Sequence, residues 1–249
     1  MGGRIELYID ISSFYSYIAL TQVLKTHELL KKHNVEIEIN PVLLGAINAG
    51  SGNKPPWVLP AKATHGTFDS QRTQRDAGLS RVAIAAPGDL FEAGKTQLAL
   101  RALHFVKARF PWPVYASAWR YFFHCFWTLH EPPTTPVALR AALEGVVAGF
   151  DPTSSSSTEK AFSEDEIARI LQAAESQEYK DVLRQTTETA LRRGAFGAPW
   201  LWVTNAETGK SEPFFGSDRW HHVYAFLGLP YQSVELLPPG SEKGTGAKL

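Results

Sequence analysis

Cysteine is almost missing from this chain: Cys125 is the only one in 249 residues. A single cysteine excludes an internal disulfide framework and a Cys-x-x-Cys redox pair, and it fits a reducing compartment. Net charge is missing as well, because 25 basic residues balance 25 acidic ones. No global field draws the chain toward nucleic acid or an anionic membrane, so neither is an expected partner and a small molecule is. Long apolar runs are absent too. None approaches the roughly 20 residues needed to span a bilayer, and Met1-Gly-Gly-Arg-Ile-Glu6 has no signal-peptide core. The expectation is a soluble chain that is not secreted by the usual route.

Several site signatures also fail. Gly94-Lys95-Thr96 resembles the end of a phosphate loop, but the upstream glycine, Gly88, is one residue too far; for Gly209-Lys210-Ser211 the required glycine position holds Thr204. His124, Cys125 and His130 lack the paired spacing of a zinc site and read as structural, so no metal is expected. There is no Gly-x-Ser-x-Gly elbow and hence no argument for a hydrolase.

What remains is an ordinary globular composition, 44% hydrophobic, long enough to bury a sizeable core in one larger domain or two smaller ones. Its most informative stretch runs from Ile5 to Tyr17. Ile5, Leu7, Ile9 and Ile11 alternate with Glu6, Tyr8 and Asp10, the period of a strand. After Ser13 the period becomes helical, with Tyr17, Leu20, Val23, Leu24 and Leu30 on one face. Ser12 or Ser13 is then the N-cap of a helix whose first turn offers free N–H groups and a positive dipole end, a ready anion site.

The helix ends near Lys32 at His33-Asn34, and Val35 to Val42 alternates again as a second strand, suggesting a parallel pair. Gly45 to Pro60, rich in Gly, Asn and Pro, reads as a surface turn. From about Ala61 to Leu171 the strand pattern disappears. Leu98, Ala102, Phe105 and Arg109 keep helical spacing, and the aromatic stretch from Val114 to His130 reads mostly as core, with room for a few rings to wall an apolar pocket. Asp151 to Thr158 is a polar, serine-rich loop. Ser163 with Glu164, Asp165 and Glu166 announces a capped helix. Tyr179, Val182, Leu183, Thr186 and Ala190 mark a last long helix ending in Arg192-Arg193-Gly194. A loop closing on Pro199 then precedes strands at Trp200 to Thr204 and near Pro213 to Phe215. The residues alone leave the isomer of that X-Pro bond open.

Four segments resemble the kappa-class glutathione transferases: Asp10 with Ser13-Phe-Tyr-Ser16, Ser51-Gly-Asn-Lys-Pro-Pro56, Gly194-Ala-Phe-Gly-Ala-Pro199, and Phe215-Gly-Ser-Asp-Arg219. The resemblance implies an α/β fold, a thioredoxin-like domain interrupted by an all-helical insertion in the DsbA-like manner. It implies a discontinuous glutathione-binding domain at residues 1–60 and 178–235, a helical insertion at 61–177 and a flexible tail at 236–249. Thioredoxin-like folds carry Cys-x-x-Cys where Ser13 and Ser16 stand here, so a hydroxyl replaces the thiol.

The implied activity is transfer of glutathione to a small hydrophobic electrophile, with Ser13 holding the substrate sulfur as thiolate and no metal involved. The further glutathione contacts implied are Phe14, Tyr15, Ser16, Asn53, Lys62, Ala198, Pro199, Ser217 and Asp218. In that scheme Ser217 caps the next helix and binds the γ-glutamyl carboxylate, Asp218 takes the ammonium, and Lys62 meets the glycyl carboxylate. Departures from the family are Phe14 for proline, Tyr17 for tryptophan and Ala198 for a larger apolar residue. A homodimer is implied as well. The nearest rivals are an isomerase of the 2-hydroxychromene-2-carboxylate type, which recycles glutathione, and a non-catalytic glutathione- or peptide-binding module. The final Ala247-Lys248-Leu249 is a variant of the Ser-Lys-Leu address, which makes the peroxisome the expected compartment and the cytoplasm or mitochondrion the alternatives.

Overall fold

The computed structural model describes residues 2–154 and 157–232. The tail from Leu236 to Leu249, and Ser155 and Ser156 of the serine-rich loop, lie outside the described residues. In chain order the elements begin with strand β1 (Gly3–Ile9), helix α1 (Phe14–Lys32), strand β2 (Val35–Pro41) and helix α2 (Leu44–Ser51). After a 3-10 turn (Pro56–Val58) come α3 (Pro60–Asp76), α4 (Leu90–Ala93), α5 (Gln97–Arg109) and α6 (Trp112–His124). A π-helical turn (Cys125–Leu129) leads to α7 (Pro136–Gly145), α8 (Glu164–Glu175) and α9 (Gln177–Arg192). The chain closes with β3 (Trp200–Asn205), β4 (Ser211–Phe215) and α10 (Trp220–Phe226).

The sheet order is β2-β1-β3-β4, with β1 and β2 parallel and the other neighbours antiparallel. This is a mixed α/β fold. Among the described residues, everything between β2 and β3 is helical or irregular apart from an isolated bridge, Val147 to Lys160. No helix among those residues is long and apolar enough to cross a membrane.

β1 is an inner strand, and both its faces are covered. Ile5, Leu7 and Ile9 are fully buried and join a core that continues through α1, α5, α6, α7 and α8. Each such side chain contributes on the order of 1.5–3 kcal/mol by leaving water. The opposite face is covered as well. Tyr8 is buried in a second cluster with Val42, Ile47, Ala190, Ala195 and Trp200, and its hydroxyl donates to Glu6 at 2.8 Å. Glu6 also accepts from Arg193 at 2.7 Å. An inner strand needs apolar matter on both sides, and the α2–α9 layer supplies it.

The expected turn at Gly45 to Pro60 is corrected by the structure: its first part is helix α2. Ile47 is fully buried and packs into the second cluster beside Ala190 and Leu191. Gly50 is explained by that packing, because a Cβ there would come within 2.8 Å of the Leu191 side chain. Gly52, at φ 76°, is the left-handed cap that ends the helix. The aromatic stretch is core as expected, with Trp119, Phe122, Phe123 and Phe126 all buried. α8 begins with a full capping box between Ser163 and Glu166.

Candidate functional site

The link from β1 to α1 is held by a carboxylate. Asp10 is fully buried. Its Oδ1 accepts from the Ser12 N–H at 3.0 Å and the Thr96 hydroxyl at 2.9 Å, and its Oδ2 accepts from the Leu44 N–H at 2.8 Å. Burial pushes the Asp10 carboxyl up, and these three donors oppose that shift. The network ties the end of β1 to the starts of α2 and α5, so the residues that follow Asp10 begin from a fixed point.

Ser13 is the N-cap of α1, with φ −101° and ψ 115°. Its Oγ accepts the Ser16 N–H at 3.1 Å and donates to the Ala198 carbonyl at 2.9 Å. The Ala198–Pro199 peptide bond is cis, and β3 starts at the next residue. The start of a 19-residue helix and the loop before β3 therefore meet through one hydroxyl. Phe14 opens the helix without proline. Its ring packs edge-on against Tyr15 at 5.3 Å and Trp127 at 5.8 Å, and the Trp127 indole N–H donates to the Ile11 carbonyl at 2.8 Å. Ser16 is fully buried, and its Oγ has no hydrogen-bond partner.

Tyr15 points elsewhere. Its hydroxyl donates to Asp69 Oδ2 on α3 at 2.6 Å. Burial, then the bond and charge of Asp69, then the charge of Asp218, all push the Tyr15 phenol up, so it stays a protonated donor. Asn53 closes the other side of the loop: its Nδ2 donates to the Phe196 carbonyl at 2.6 Å. The Cys125 thiol is remote from thiol chemistry, being 3% exposed and pushed up to about 12, chiefly by burial.

A strand ending in a helix whose capped N-terminus faces the loop before a Pro-led strand, with helices inserted between, is a recognisable plan. Residues 4–228 match the DSBA-like thioredoxin domain. The chain belongs to this DSBA-like family. It is 26% identical over 237 residues to glutathione S-transferase kappa 1 of Homo sapiens, covering 94% of either chain. Similarity to glutathione S-transferase kappa 1 of Caenorhabditis elegans is 27% over 239 residues, covering 91% of this chain and 92% of that protein. In fold, this DSBA-like domain is similar to a solved 2-hydroxychromene-2-carboxylate isomerase, with a TM-score of 0.65 at 18% identity over 90% of this chain and 94% of that one.

Within the DSBA-like domain, the residues singled out by sequence do not all fall together. Ser13, Phe14, Tyr15, Ser16, Ala198 and Pro199 form one junction, and Asn53 is bonded to the same loop through Phe196. Asp218 stands near enough to Tyr15 for its charge to be felt there, and its Oδ2 accepts from Arg219 at 2.9 Å. Lys62 lies exposed in the first turn of α3. Ser217 does not cap a helix. It is 3% exposed, whereas α10 starts at Trp220 behind Arg219, which makes no side-chain cap bond. The Gly216-Ser217-Asp218 turn, with Gly216 at φ 100°, delays the helix by two residues.

Two partners at this junction were missed by sequence reading, Thr96 and Asp69. Their contacts with Asp10 and Tyr15 span 86 and 54 residues of chain, and neither sits in a motif. The only available signal was indirect: Asp10 closing an apolar strand requires donors from somewhere.

Proposed function

We propose that this chain is a glutathione transferase that holds glutathione as its thiolate with Ser13 and passes it to a small hydrophobic electrophile. The observation that carries the reading is the Ser13 hydroxyl, suspended between the first turn of α1 and the Ala198 carbonyl. The similarity to two proteins named glutathione S-transferase kappa 1 supports the choice of thiol. Disulfide exchange finds no support, since serines occupy both thiol positions and the single cysteine is buried.

The steps follow from the geometry. Glutathione enters beside the loop before Pro199, and the N–H of its cysteinyl residue takes over the Ala198 carbonyl. The Ser13 hydroxyl, released from that acceptor, turns and donates to the sulfur, while the thiol proton leaves to water. A free thiol has a pKa of about 8.5. Lowering it by about two units needs about 2.7 kcal/mol. One hydrogen bond to a charged group supplies roughly 1.5–3 kcal/mol and the helix dipole roughly 0.3–1, up to about 2. No general base is required. The thiolate then forms a carbon–sulfur bond to the electrophile. In a substitution the bond to the leaving group breaks and that group departs with its electron pair; in an addition the adduct carbanion takes up a proton from water.

Asn53 supports the loop that carries Ala198 and meets the cysteinyl main chain. Ser217 and Asp218 bind the γ-glutamyl carboxylate and ammonium, and Lys62 binds the glycyl carboxylate. A homodimer belongs to the same proposal. Trp57, Val58, Leu59 and Phe68, each 41–58% exposed, give it an apolar surface, and a light-scattering mass of one chain would contradict that part.

The test is product analysis with glutathione and a panel of hydrophobic electrophiles. A glutathione adduct, formed about 10- to 100-fold more slowly by Ser13→Ala, is the expected result. Rearranged substrate without adduct would replace transfer by isomerisation. Rates indifferent to Ser13→Ala would leave only a binding module.

A further inference from the structure

Helix α3 is held in an unusual way. Over 17 residues it buries no side chain against its own chain, so hydrophobic packing within the subunit does little to fix its place. Its ends are tied by polar contacts. Before it, Asn53 is bonded to Phe196. In its last turn, the Gln74 side chain donates to the carbonyls of Leu79 at 3.0 Å and Val82 at 2.7 Å, beyond the helix. Between those ends the side-chain bond to α1 is that of the Tyr15 hydroxyl with Asp69, at 2.6 Å. Tyr15 is the second residue of α1, two places after Ser13. His65 Nε2 stands 4.0 Å from Asp69 and is mostly exposed.

Lys62 and Asp69 are seven residues apart, two turns of helix, and so share one face of α3 at a separation of about 10 Å along its axis. The face that meets Tyr15 is therefore the face that carries Lys62. We infer that Asp69 is a positioning residue: through Tyr15 it holds α3 across the start of α1 and so keeps Lys62 within reach of the glycyl carboxylate of bound glutathione. This rests on the glutathione transferase reading and adds to it a residue that touches neither thiol nor electrophile. Loss of the bond frees the middle of α3 and weakens the hold on the glycyl end. It leaves Ser13, the helix end and the thiolate untouched.

The two halves of the substrate separate the effects. Steady-state kinetics would be measured for the wild type, Asp69→Ala, Tyr15→Phe and the double variant, with glutathione and with γ-glutamylcysteine, which lacks the glycine. For Asp69→Ala the KM for glutathione rises about five- to tenfold while kcat stays within about twofold. The KM for γ-glutamylcysteine does not move. Tyr15→Phe raises the glutathione KM equally, the double variant matches either single one, and Asp69→Asn, which keeps an acceptor oxygen, retains most of the affinity. If the wild type is active and Asp69→Ala raises the KM values equally for both thiols, or raises neither, the inference alone is overturned. A wild type that conjugates neither thiol overturns the reading beneath it, and the inference falls with it.

Discussion

Acid will weaken this fold through His104, and the size of the effect can be worked out. His104 lies on α5 at 6% exposure, with Nε2 at 2.9 Å from the Pro41 carbonyl at the end of β2. The carbonyl can only accept, so the ring carries a proton on Nε2, and burial favours the neutral form. Burial lowers its pKa to about 4, and the charge of Lys107 assists, while the Pro41 bond opposes the shift. The unfolded chain protonates near 6.5, above the folded value. Stability from this group is therefore complete above pH 6.5 and is lost as pH falls toward 4. At about 1.4 kcal/mol per pH unit the loss reaches about 2–3 kcal/mol by pH 4.5. Urea unfolding at pH 7.5 and pH 4.5 would be compared for the wild type and His104→Gln, whose amide can still donate to Pro41. Titrating carboxylates affect both proteins alike, so the wild type should lose about 2–3 kcal/mol more than the variant. An equal loss in both, or a His104 ring that titrates near 6.5 by NMR, would refute the reasoning.

Two further predictions concern the junction. Thr96→Val removes one of the three donors to the buried Asp10 carboxylate and should destabilise the chain by about 1–3 kcal/mol in chemical unfolding; no loss would mean that water replaces the hydroxyl. Ser16→Ala removes a buried hydroxyl that has no partner and should raise stability by up to about 1 kcal/mol, whereas a clear loss would reveal a hidden acceptor.

Much of this architecture is legible in the residues because local physics carries it. The change of period after Ser13, the capping box at Ser163 and the Arg192-Arg193-Gly194 ending each mark a boundary that short-range rules determine. Helix α2 escaped because Gly45, Gly50 and Asn48 look like turn residues, while Gly50 is small only to admit Leu191. The burial of Tyr8 was not legible, because alternation records one face of a strand and cannot report that a second layer covers the other. At the site, Ser13 and Ala198 are close because the cap and the loop before Pro199 are fixed features of the chain plan. The Asp10–Thr96 and Tyr15–Asp69 contacts were illegible, since they join distant segments through single polar atoms with no periodic trace. Ser217 was misplaced because a Gly-Ser-Asp turn and a serine N-cap have the same composition.

The central claim is that a hydroxyl at the start of α1 stabilises someone else's thiolate. It is tested most directly by a pH titration of thiolate ultraviolet absorbance, with glutathione bound to the wild type and to Ser13→Ala. The account predicts a bound thiol about two pH units more acidic than the free one of about 8.5, returning by at least about one unit in the variant. Bound glutathione that titrates like free glutathione in both proteins would contradict it and leave Ser13 as a helix cap.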